Sequence, residues 1–137
     1  MKVRCIKNRG ADLPQDCLRR ESGFTEETEF GVVLGKIYTV YGFTLLFGHV
    51  WFYLCDESYT YYPVWNPSPL FQIVDHRLSA YWEFHLQVGT SAEDTRVIVA
   101  FPEWARDPLY YDRLTNRDKE AVEIFERYKD LIDAEHA

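Results

Sequence analysis

The sequence predicts an α+β domain in which an antiparallel β core is followed by a β-hairpin and closed by one C-terminal amphipathic helix. Three observations carry this. Between Tyr38 and Trp65 lie eleven of the twenty-three aromatic residues, in short runs separated by turn residues, which is the composition of a compact β core. From Trp82 to Val88 apolar and polar side chains alternate, and after a turn the apolar run Val97 to Phe101 follows, as in a hairpin. Finally, Ala121, Ile124, Phe125, Tyr128, Leu131 and Ile132 fall on one helical stripe.

The elements follow in chain order. Lys2 to Lys7 alternates, with Val3 and Cys5 on one side and Arg4 and Ile6 on the other, and predicts a first strand that Asn8, Arg9 and Gly10 end. Residues 10–31 contain Gly10, Pro14, Gly23 and Gly31 and predict a long excursion loop with one helical turn. A second strand is expected over Ile37 to Phe43, a hairpin connection over Leu45 to His49, and a third strand over Val50 to Cys55 that Asp56, Glu57 and Ser58 close as a polar turn. Tyr59 to Pro69 interleaves aromatic residues with Pro63, Pro67 and Pro69. Proline cannot donate to a ladder, so an edge or a rigid loop is expected there. Leu70 to Val74 resumes extended structure. In the strand from Ala80, Trp82, Phe84, Leu86 and Val88 are expected to face the core, with Glu83, His85 and Gln87 outward, and Gly89 to Thr95 is the turn. Asp107 before Pro108 predicts a short helix over Leu109 to Leu114. Thr115 with Asp118 predicts a capping box for the terminal helix, and Glu123 an i, i+4 pair with Arg127.

At 137 residues the chain is read as one domain, long enough to bury roughly 68% of its unfolded surface. Its formal charge is −7, and residues 102–137 carry ten acidic against six basic groups. Such a field favours basic partners over nucleic-acid phosphate. Cys5, Cys17 and Cys55 are odd in number and form no CxxC pair, so buried reduced thiols are expected, with no disulfide framework and no metal site. The opening MKVRCIKNRGADL lacks the apolar stretch of a signal peptide, and no run approaches a membrane span. A cytoplasmic location is expected.

The segments KVRCIKN (2–8), VLGKIYTVYGF (33–43), FYLCDE (52–57) and YYPVWNPSPLFQIVD (61–75) resemble a group of small bacterial and phage proteins with an SH3-like barrel. The resemblance implies such a barrel over residues 1–75, with residues 76–137 adding the hairpin and the terminal helix. Asp56-Glu57 departs from it by leading into a longer aromatic insertion. LSAYWEFHL (78–86), FPEW (101–104) and the last helix are similar to small immunity proteins encoded beside polymorphic bacterial toxins.

Chemical motifs are sparse. His49, His76, His85 and His136 show no ligand spacing, the serines no nucleophile elbow and the glycines no phosphate loop. No catalytic residue and no cofactor is therefore assigned. The stronger feature is the aromatic loop, because Tyr and Trp give large contact area at low conformational cost. Tyr59, Tyr61 and Trp65 are expected to be exposed anchors for a protein partner, with Tyr62 structural, while Glu26, Glu27 and Glu29 steer a basic partner. The reading is a binding protein, foremost an immunity protein that blocks a basic toxin domain. An SH3-like adaptor for proline-rich peptides is the alternative. A nucleic-acid module is disfavoured because Lys36 and Arg77 are the only basic residues from Gly31 through Arg77, and an enzyme would need His76 or His85 to meet a carboxylate in one concave pocket.

Overall fold

A computed structural model describes residues 1–90 and 95–137. Among these residues the fold is mixed α+β, with two antiparallel sheets and a C-terminal helix. Strands β1 (Lys2–Cys5), β2 (Ile37–Thr39) and β6 (Phe71–Asp75) form one sheet in the order β2-β1-β6. The other sheet has the order β5-β4-β3-β8-β7, built from β3 (Gly42–Leu46), β4 (His49–Leu54), β5 (Val64–Pro67), β7 (Glu83–Gln87) and β8 (Arg96–Ala100). Helices α1 (Pro102–Ala105), α2 (Tyr110–Thr115) and α3 (Lys119–Glu135) follow. None of the described helices is long and apolar enough to cross a membrane.

The strand expected over Ile37 to Phe43 is two strands in different sheets. The backbone changes partners at Val40, whose N–H donates to Met1 O at 3.1 Å, and Tyr41, whose N–H donates to Tyr53 O at 2.8 Å. Both residues are buried because the corner lies between the sheets. Gly42 follows because a Cβ there would come within 2.9 Å of Val99 O and 3.2 Å of the Trp104 ring. No ladder of hydrogen bonds joins the two sheets among the described residues, so β1–β6 do not close into a barrel. β8 pairs with β3 through Phe43↔Val99, Thr44↔Ile98 and Leu45↔Val97, and β7 forms the edge beyond it, so the later hairpin extends the larger sheet and is not an appendage.

Leu46 and His49 close the β3–β4 hairpin around Phe47 and Gly48, at φ 54° and 76°. Positive φ at both central residues gives the twist that a two-residue hairpin turn needs. The proline-flanked β5 is an edge strand, as its sequence requires. The 10–31 excursion holds two 3-10 turns, at Gly10–Asp12 and Gln15–Cys17.

One core lies between the sheets, around Val3, Val40, Phe52, Leu54 and Leu70. A second lies between the larger sheet and the helices, around Ile98, Phe101, Trp104, Tyr110 and Phe125. Trp65 and Trp82 pack against both. Along α3 the buried residues are Ala121, Phe125 and Ile132, and Phe101 stacks on Tyr128 with centroids 4.3 Å apart. The cap of α3 is Asp118, whose Oδ2 accepts from Ala121 N at 3.1 Å. Thr115 instead donates its hydroxyl back to Asp112 O, and Arg127 pairs with Glu103 on α1, not with Glu123. The last turn of α3 returns to the start of the fold: Lys2 Nζ donates to His136 O at 3.1 Å, and Tyr41 Oη to Asp133 at 2.6 Å.

Trp82 packs inward as expected, but within β7 the expected facing is reversed. Phe84, Leu86 and Val88 are 66%, 58% and 74% exposed. Its polar side is the covered one, because α1 and the residue after it dock there: Arg106 Nε donates to Glu83 at 2.8 Å and Gln87 Nε2 to Ala105 O at 3.5 Å. Alternation reveals that a strand has two unlike faces; the neighbours decide which is covered. Leu86→Glu is accordingly expected to change stability by no more than about 0.5 kcal/mol in urea denaturation, whereas Ile98→Glu, an unpaired charge in the helix-facing core, is expected to cost more than about 4 kcal/mol. A loss above about 2 kcal/mol for Leu86→Glu would return that face to the core.

A candidate binding cleft lined by aromatic side chains

A cleft of about 730 Å³ opens between the 24–31 loop, the aromatic loop and α2. Its wall is built in layers from the larger sheet. Tyr53 on β4 and Trp65 on β5 are cross-strand partners, and their rings stack with centroids 6.5 Å apart. Trp51, two residues before Tyr53 and hence on the same face, supports Trp65 at 5.0 Å and is covered by Phe24 at 6.0 Å. Phe24 in turn meets Phe30 at 4.8 Å. From the opposite side Tyr111 of α2 reaches across, donating its hydroxyl to Pro63 O at 2.6 Å, with its ring 5.3 Å from Tyr53. Burial holds the Tyr111 phenol far above its usual range, so it stays a neutral donor.

The rim carries charge. Asp56 is buried, and its Oδ1 accepts from Ser58 N at 2.8 Å and Tyr59 N at 2.9 Å. These two bonds fix the turn that presents Tyr59. Burial raises the Asp56 pKa against the opposing pull of those N–H groups. Glu29 lines the same cleft from the loop, and Arg96 of β8 enters with no carboxylate partner among the described residues. The loop approaches because Gly31 lacks a side chain: a Cβ there would lie 2.8 Å from Ser58 Oγ. Gly31 O then accepts from Glu57 N at 2.8 Å.

The anticipated anchors do not form one platform. Tyr59 is 42% exposed at the cleft, while Trp65 is half-buried between Trp51 and Tyr53. Tyr61, also 42% exposed, lines a separate hollow with Lys119 and Val122, its ring 4.4 Å under the Arg117 guanidinium. Tyr62 is half-buried against Tyr59 and Tyr111. The three glutamates are all exposed but divided. Only Glu29 lines the cleft; Glu26 accepts from Gln15 Nε2 at 3.2 Å, and Glu27 stays in the surface turn, its N–H on Thr25 Oγ1. Sequence reading missed Phe24, Phe30, Tyr53, Tyr111 and Arg96, which come from distant segments and carry no motif.

The histidines do not enter this cleft. Asp75 is held by Arg77, at 3.0 and 2.7 Å, which keeps its carboxyl well below the usual range, and His76 beside it is exposed. His85 does meet a carboxylate, Glu83 at 3.1 Å, but that group also binds Arg106. His49 meets Asp16 at 2.8 Å. Lys36 pairs with Glu57, so both basic residues of the 31–77 segment are already engaged with acids. The turn acids Glu93 and Asp94, with Ser91, lie outside the described residues.

No protein-family model, curated protein or solved structure matches this chain.

Proposed function

We propose that this is a non-enzymatic binding protein that grips a basic segment of a partner protein in the aromatic cleft, acting as an immunity protein against a toxin domain. The carrying observation is the joining of Tyr59 and Trp65 with Asp56 and Glu29 around one opening. Aromatic faces attract a guanidinium or ammonium by about 0.5–2 kcal/mol each, and more when water is excluded. Glu29, the exposed carboxylate of the cleft, completes its pairing, and the chain's net charge of −7 speeds the approach of a basic partner. Rings already packed on one another need little ordering on binding. The same reading takes residues 2–75 as an open SH3-like small barrel, acting in the cytoplasm.

The test is affinity capture from native cells, followed by titration of the purified partner. Tyr59→Ala and Trp65→Ala are each expected to weaken binding by about thirtyfold or more, the scale of a hot-spot residue, while Tyr61→Ala is expected to change it less than threefold. The association rate is expected to fall with salt. Unchanged affinity in both cleft variants would end this proposal. A second reading, an adaptor for proline-rich peptides, has the same aromatic lining in its favour; saturable binding of a polyproline peptide that competes with the partner would decide for it.

A further inference from the structure

We propose that Asp16, Cys17 and His49 form a binding site for a divalent transition metal of the zinc type. One carboxylate oxygen, one thiol sulfur and one imidazole nitrogen from these residues lie within 4.8 Å of one another. Tetrahedral zinc with such ligands sets its donors about 3.4–3.6 Å apart, as its bond lengths require. The His49 to Asp16 separation is 2.8 Å, so that pair must part by about half an ångström, and donors near the 4.8 Å limit must close by about an ångström, to admit the cation. Asp16 can do so, since its side chain is 61% exposed.

The surroundings favour a cation over a plain hydrogen bond beside an inert thiol. Cys17 is fully buried, and among the described residues its thiol makes no hydrogen bond. Its backbone is held in place: Cys17 N donates to Pro14 O at 3.0 Å, and Cys17 O accepts from Ser22 Oγ at 2.9 Å. His49 is fixed as the first residue of β4 by the tight hairpin turn. Arg19, the neighbouring cation, lies over the Phe47 ring at 4.4 Å. A hollow lined by Arg19, Leu46, Gly48 and His49 adjoins the imidazole. Mixed sulfur, nitrogen and oxygen donors select zinc-like ions over magnesium or calcium. Coordination replaces the thiol proton, which leaves to solvent, and water takes the fourth position. The cation then ties the 10–31 excursion to the β3–β4 hairpin.

The probe is Co²⁺, titrated into the reduced, chelator-treated full chain. A thiolate-to-cobalt charge-transfer band saturating at one equivalent is expected, and Zn²⁺ is expected to abolish it. Cys17→Ser should remove the band, His49→Gln and Asp16→Asn should weaken affinity at least tenfold, and Cys5→Ser and Cys55→Ser should leave it unchanged. If Cys17→Ser fails to fold, the His49 and Asp16 variants decide, since both positions are partly exposed. Absence of the band in the parent chain, its survival in Cys17→Ser, or indifference to both His49→Gln and Asp16→Asn would overturn the assignment.

Discussion

Trp51→Ala is expected to lower the unfolding free energy by about 3–5 kcal/mol, the range for emptying a large aromatic site. The indole is fully buried, and its Nε1 donates to Leu46 O at 3.0 Å. Truncation leaves that carbonyl short of a partner and removes the surface on which both Phe24 and Trp65 rest. Total stability of a domain this size is about 5–15 kcal/mol, so the variant should unfold in much less urea, read by far-ultraviolet circular dichroism. Trp51→Phe keeps most of the packing and should cost less than half as much. Because the same ring supports Trp65, partner binding should weaken even at temperatures where the variant is folded. A loss below about 1 kcal/mol would show that Trp51 does not occupy the centre of this core.

Gly10→Ala is expected to cost about 3 kcal/mol or more, at or beyond the upper end for forcing atoms into packed space. A Cβ at Gly10 would stand 1.8 Å from Thr25 O. Neither backbone can retreat freely, since Gly10 N donates to Thr28 O at 2.7 Å and Thr25 O accepts from Thr28 N at 3.1 Å. The contact that must yield is therefore the one that docks the 24–31 loop, and with it Phe24 and Phe30. Faster proteolysis within residues 10–31, together with a lower urea midpoint, would register this. Gly23 supplies the contrast. It sits at φ +79° with nothing within 4 Å of a Cβ, so Gly23→Ala meets only backbone strain, about 1–2 kcal/mol. Equal losses at the two glycines would contradict the close approach.

The parts of this fold that announce themselves in sequence are those whose partners are local. The β3–β4 hairpin follows from its glycine and flanking aromatic residues, and α3 from its 3.6-residue stripe. Where distant segments decide, the pattern misleads. Val40 and Tyr41 read as the middle of one strand because nothing local says that β1 claims the residues before them and β4 those after. On β7 the apolar side is left open because α1, some fifteen residues later, covers the polar one. Asp118, three positions after Thr115, is the cap because its carboxylate reaches Ala121 N while the Thr115 hydroxyl turns back to Asp112 O. At the cleft, Tyr59 and Trp65 were legible as aromatic residues among prolines, whereas Tyr61 turns to a different hollow. Phe24, Phe30 and Tyr111 join them only through tertiary packing, which no spacing rule encodes.

β1 lies between β2 and β6, and Lys2 is tied to the carbonyl of His136. A nascent chain can therefore pair its first strand as soon as residues 37–39 and 71–75 have left the ribosome. It must then wait for α3 before the larger sheet's second core is covered. At ordinary elongation rates that interval is on the order of several seconds, during which the sheet surface beneath Phe125 and Ile132 is open to chaperones or to a neighbouring nascent chain.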